Sequence, residues 1–181
     1  FSSEITIKNC SFTSCSTKNV QGNGGAVNIE NCGLEMSDSL FVNSSTTGGA
    51  GGSIYTILNK PIKNSFHITN CNFSNSSALY GGAAYIYSSL EENSVVISQC
   101  TFTENRALSS SSNPLQYGGS AIFMCAKNGQ VLFCNMLRNK GKGGALKIYD
   151  DFDQNSKSLK SLKSFLLVAK ECYFEIEKSR L

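Results

Sequence analysis

The sequence predicts an all-β fold, a right-handed parallel β-helix of about five to six coils, on three observations. First, an apolar-x-apolar-x-x-Cys-x-Phe pattern returns six times along the 181 residues. Its Cys position falls at Cys10, Ser39, Cys71, Cys100, Cys134 and Cys172, spacings of 29, 32, 29, 34 and 38 residues. Second, a glycine element interleaves with it at Gly24-Gly25-Ala26, Gly51-Gly52-Ser53, Gly81-Gly82-Ala83, Gly118-Gly119-Ser120 and Gly143-Gly144-Ala145. Two signals sharing one period make each repeat a coil that buries its apolar face against its neighbours. Third, 16 Gly, two Pro and no Trp, with abundant Ser, Thr and Asn, suit short strands and frequent turns.

Each element of a coil follows from alternation. Residues two apart share a strand face, so Ile5 and Ile7 point together, as do Cys10 and Phe12. The three-residue step from Ile7 to Cys10 breaks the alternation and places a corner at Lys8-Asn9. Asp38, Asn70, Gln99 and Glu171 hold that corner in other copies. Asn and Asp tolerate the left-handed backbone of a sharp corner. The copies with inward pairs are Leu34/Met36, Phe66/Ile68, Val95/Ile97, Gly129/Val131 and Leu167/Ala169. The glycine pair then supplies a turn at low conformational cost. A third strand follows, with inward residues Val27/Ile29, Ile54/Thr56, Ala84/Ile86, Ala121/Phe123 and Leu146/Ile148. A leucine-rich repeat shares part of this pattern but needs an apolar residue three positions upstream. Ser2, Asn31, Lys63, Glu92, Ala126 and Ser164 stand there, nearly all polar, so the β-helix is preferred.

The chain reads as one domain, 1–181, with an insertion at 150–164, and as a piece of a longer protein because neither end carries a clear cap. A net charge of +3 and the lack of a basic patch interleaved with aromatics argue against nucleic acid. No apolar stretch is long enough to span a membrane. Five of the eight cysteines, Cys10, Cys71, Cys100, Cys134 and Cys172, share one inward position. Their in-register Cβ vectors suit a free-thiol ladder better than bridges. Cys15, Cys32 and Cys125 have no evident partners, and one His and no Cys-x-x-Cys give no zinc pattern.

Candidate chemistry is sparse. His67 points to solvent with no carboxylate in pattern register. Glu4, Glu30, Glu35, Asp38, Glu91, Glu92 and Glu104 stack on no common strand. In the insertion, Asp151-x-Asp153-x-Asn155 resembles the opening of a calcium loop. It has Ser156 where the loop's Gly belongs and Leu162 where its Glu belongs, so a solvated acidic loop is the better reading and no metal or cofactor is expected. Further along the insertion, Leu159, Leu162 and Leu166 share one helical face beside lysines, a face expected to pack on the solenoid. Asn9, Asn43, Asn72 and Asn75 each head an N-glycosylation triplet.

The Gly-Gly-Ala-apolar element, with Gly24-Gly-Ala-Val27 and Gly143-Gly-Ala-Leu146 as copies, alternates with Phe-x-x-Asn. That second element is complete in Phe102-Thr-Glu-Asn105 and looser in Met136-Leu-Arg-Asn139. This alternation resembles the repeat of the chlamydial polymorphic outer membrane protein family, which has relatives among protist surface proteins. The resemblance covers nearly the whole chain, although Cys15, Ser44 and Ser76 stand at the Asn position elsewhere. It implies a surface-displayed β-helix used for adhesion, hence an extracellular or cell-surface location.

Outward positions of the third strand locate the expected contact. Tyr55, Ile57, Tyr85, Tyr87, Ile122, Met124 and Tyr149 form an aromatic and aliphatic strip. Surfaces of that kind are seldom left bare, and Tyr and Met are enriched at interface cores. The reading is therefore a non-catalytic structural or adhesive module that binds another protein or a neighbouring copy. A polysaccharide lyase or hydrolase of pectin-lyase-like fold, or a carbohydrate-binding module, is the alternative.

Overall fold

A computed structural model describes residues 3–62, 66–109, 118–142, 144–148, 166–170 and 172–175. They form an all-β solenoid of stacked parallel strands, with no helix among the described residues. The first sheet is six-stranded: Glu4–Lys8, Gly33–Ser37, Phe66–Thr69, Val95–Ser98, Asn128–Leu132 and Leu166–Lys170. The second, also six-stranded, runs Ser11–Thr13, Leu40–Val42, Asn72–Ser74, Thr101–Thr103, Asn135–Leu137 and Tyr173–Glu175. The glycine-led strands, Val27–Glu30, Ile54–Leu58, Ala84–Ser88, Ile122–Ala126 and Leu146–Ile148, build a five-stranded sheet, called the fourth below.

Register follows the repeat. Ile5 pairs with Leu34, Leu34 with Phe66, Phe66 with Val95, and Val95 with Gly129. In the second sheet Phe12, Phe41, Phe73 and Phe102 stack face to face at 4.6, 4.8 and 4.9 Å. Those separations match the strand spacing, so parallel in-register pairing itself lays each ring on the next. Phe41, Phe73 and Phe102 are buried, whereas Ile5, on a strand paired along one edge only, is 38% exposed.

The corners fall where alternation breaks. Asn9, Asp38, Asn70 and Gln99 all adopt left-handed backbone, φ 52 to 54°. Glu171 lies outside the described residues. In the fifth copy the corner residue is Phe133, at φ 54° and 47% exposed. A bulky residue there carries backbone strain and has little burial to offset it. Phe133→Asn should therefore stabilise the protein by about 1 kcal/mol, read as a higher urea midpoint. At the Asp38 corner the Asn70 amide donates to the carboxylate at 2.7 Å, which holds its pKa below the ordinary range.

Three features depart from the sequence reading. A coil contains a further short strand. Ser16–Thr17, Ser45–Thr46, Ser77–Ala78 and Arg106–Ala107 form a four-stranded third sheet after a second left-handed corner at Ser14, Asn43, Asn75, Glu104 and Arg138. Strands of two residues are too short to show periodicity. His67 does have a carboxylate in register: it pairs with Glu35, Nδ1 to Oε2 at 3.5 Å on the outward face of the first sheet. Leu166 opens a strand of the first sheet instead of continuing a helical face.

The thiol column forms as expected, and no disulfide joins any of the eight cysteines. Cys71, Cys100 and Cys134 donate to the carbonyls of Thr69, Ser98 and Leu132 at 3.3, 3.1 and 3.3 Å, each across a corner. Ser39 takes the same place, donating to Ser37 at 2.8 Å. Thiol neighbours Cys134 and Cys71, together with burial, push Cys100 far above the ordinary thiol range, so it is protonated at neutral pH. In the fourth sheet the inward column Ile29, Thr56, Ile86, Met124 contains one hydroxyl. Thr56 is fully buried and its Oγ1 has no hydrogen-bond partner. Thr56→Val keeps the shape and removes the unpaired group, so it should raise stability by about 1 kcal/mol in urea unfolding.

Candidate functional site

The outward face of the fourth sheet carries the aromatic strip. Pairing sets Asn28, Tyr55, Tyr85, Phe123 and Lys147 in one row and Glu30, Ile57, Tyr87 and Cys125 in the next. Tyr55 stacks on Tyr85 at 5.3 Å with planes 16° apart, and Tyr85 on Phe123 at 5.0 Å and 11°. The rows exist because β alternation puts every second side chain outside, and parallel register copies the position from coil to coil. Tyr55, Ile57, Tyr85 and Tyr87 are part-exposed. Burial, with the charge of Glu30 beside it, holds the Tyr55 phenol above its ordinary pKa, so the hydroxyl stays protonated at neutral pH.

Ile122 and Met124 do not belong to this face. Both are fully buried and pair with inward Ala84 and Ile86. The strand phase is set by the left-handed glycine, and in this copy that residue is Gly119, φ 61°, matching Gly24, Gly51 and Gly81. Gly118 holds the place of Tyr80, since the Gly81 amide bonds the Gly118 carbonyl as the Gly51 amide bonds that of Tyr80. The strand therefore starts one residue later than the doublet suggests, and a slip of one exchanges the two faces. Phe123 and Cys125 take the outward places, at 4% and 1% exposure, so the accessible part of the strip ends at Tyr85 and Tyr87. Tyr149, the acidic triplet Asp151, Asp153 and Asn155, and the 150–164 insertion lie outside the described residues.

Stacking also decides what the strip can do. Tyr85 has both ring faces occupied, by Tyr55 and by Phe123, so it offers an edge to anything approaching from solvent. A sugar stacks on an open aromatic face, whereas a protein surface packs on ring edges and the flanking Ile57. The strip is thus a narrow, rigid, part-apolar ridge.

The acceptor residues Asn9, Asn43, Asn72 and Asn75 are all exposed, three at left-handed corners and Asn72 on a strand of the second sheet. Charge clusters more than the linear sequence suggests. Glu104, Arg106, Arg138 and Lys140 line one cavity of about 190 Å³, formed where successive coils superimpose residues 34 positions apart. Projecting the chain at its coil period, instead of reading it linearly, reveals that grouping. Among the described residues no set of three or more His, Cys, Asp or Glu is placed to hold a metal ion, and no helix is long and apolar enough to cross a membrane. No family model, no curated protein and no solved structure matches this chain.

Proposed function

We propose that this chain is a non-catalytic structural or adhesive module of a secreted or cell-surface protein, a right-handed β-helix of five to six coils. It binds another protein or a neighbouring copy through the outer face of its fourth sheet. The observation that carries the reading is the part-exposed ridge of Tyr55, Ile57, Tyr85 and Tyr87, held rigid by ring stacking and backbone pairing. Ordered aromatic side chains lose little entropy on association, which favours them as interface anchors. Six-stranded first and second sheets support the coil number. Exposure of all four glycan-acceptor asparagines supports passage through a secretory route.

Replacing Tyr55, Tyr85 and Tyr87 with Ser tests the reading, because the outward positions leave the buried inward residues Ile54, Leu58 and Ile86 in place. The expected result is loss of self-association in sedimentation velocity, and of capture on the surface of cells that bind the parent chain, with an unchanged far-UV spectrum. Assembly and capture at parental levels would reject it. Reproducible cleavage of pectins, alginates or glycosaminoglycans, with or without calcium, would reject the non-catalytic half.

A further inference from the structure

From a different face, the third sheet and the corner before it, we infer that this protein has a binding site for a sulfated glycan, with Arg106, Arg138 and Lys140 holding a sulfate group. Arg106 and Lys140 occupy equivalent positions on successive coils, joined by a parallel bridge. Arg138 follows Glu104 at the corner position, and its Nε donates to the Glu104 carboxylate at 3.1 Å. The cavity of about 190 Å³ between them is therefore lined by three cationic side chains and one carboxylate. Arg106, Arg138 and Lys140 are all exposed. Charge-assisted donors converging from two coils suit a tetrahedral oxyanion.

The neighbouring coils indicate what carries that anion. Continuing along the axis, the strand position runs from Arg106 to Ser77, Ser45 and Ser16, and the corner position from Glu104 to Asn75, Asn43 and Ser14. The result is a straight track of hydroxyl and amide groups, exposed or part-exposed, with no apolar side chain at either position. Its rungs recur at the coil spacing of about 4.8 Å, comparable with the rise of one pyranose unit along a chain. Hydroxyl and amide donors in a repeating row match a saccharide, whereas a phosphopeptide would call for apolar pockets beside the anion site. Asn43 and Asn75 also head glycosylation triplets, so an attached glycan would cover this track; protein made in bacteria avoids it.

The test uses the whole chain, biolayer interferometry, and an immobilised fully sulfated heparin-type hexasaccharide beside its desulfated counterpart. Arg106→Ser with Lys140→Ser places at both positions the residue that coils two and three already carry, so the fold should survive. The parent chain should bind the sulfated hexasaccharide and not the desulfated one. The double variant should bind roughly tenfold or more weakly, by loss of two charge-assisted contacts. Lys18→Ser with Lys60→Ser removes the same charge elsewhere and should bind like the parent. A sulfated disaccharide should bind more weakly than the hexasaccharide. Equal binding of the desulfated glycan, parental binding by the pocket variant with its spectrum intact, or equal loss in the Lys18/Lys60 control would overturn the site. A phosphoserine peptide bound as tightly as the hexasaccharide would overturn the glycan assignment.

Discussion

Gly52→Ala should cost about 4 kcal/mol or more and leave little soluble protein, among the largest single-residue effects expected in the described residues. Gly52 does not sit in the left-handed region; its neighbour Gly51 does, at φ 66°. What Gly52 provides is absence of volume. A Cβ there would strike the carbonyl oxygen of Gly82 on the next coil and lie 2.7 and 2.8 Å from the backbone N and O of Ser77. Backbone atoms of paired strands cannot step aside one at a time, so the added methyl must separate the third and fourth sheets together. Gly144→Ala provides the contrast. Gly144 has φ 82° and open space around its would-be Cβ, so the substitution adds only backbone strain, about 1–2 kcal/mol. Urea unfolding followed by far-UV circular dichroism checks both, and a Gly52→Ala loss no larger than that of Gly144→Ala would refute the close-approach account.

Asn105→Ala is expected to destabilise by about 3–5 kcal/mol, because one buried amide satisfies three coils. Its Oδ1 accepts from the Ser76 amide at 2.9 Å, and its Nδ2 donates to the Phe73 carbonyl and to Asn139 Oδ1, both at 3.0 Å. Truncation strands the buried Ser76 N–H, at roughly 1–3 kcal/mol, and removes one of the two donors to the Phe73 carbonyl as well as the bond to Asn139. Asn105→Asp should be no better, since a carboxylate cannot donate to the two oxygens it would face. Asn139 repeats the device one coil on, accepting from the Asn105 amide and donating to the Phe102 carbonyl, both at 2.9 Å. It is only part-buried, so Asn139→Ala should cost less than Asn105→Ala. A loss below about 1 kcal/mol for Asn105→Ala in the same unfolding assay would mean that these groups find other partners.

The Phe-x-x-Asn element is incomplete in earlier coils. Ser76 stands at that position and bonds Ser53 Oγ at 2.8 Å, while the buried Ser44 hydroxyl has no hydrogen-bond partner. The longer amide reaches the backbone of the preceding coil at Ser76 and Phe73 and the Asn139 side chain of the following coil, whereas a serine hydroxyl does not span that gap.

The ladders and the corners are legible in the order of residues alone. Strand alternation and left-handed corners are local properties, written in the spacing of Ile7 to Cys10 and in Asn9, Asp38, Asn70 and Gln99. In-register stacking of the Phe and Cys positions then followed from repetition at one period. The phase of the strand after Gly118-Gly119 is set by stacking between coils, because both glycines satisfy the local rule and only hydrogen bonding to the Gly81 turn selects Gly119. That choice moved Ile122 and Met124 into the core and narrowed the aromatic face to Tyr55, Ile57, Tyr85 and Tyr87. Contacts between residues a full coil apart, Glu35 with His67 and Arg138 with Glu104, depend on the lengths of the intervening loops. Those lengths vary from coil to coil, and stacking is what converts them into neighbours.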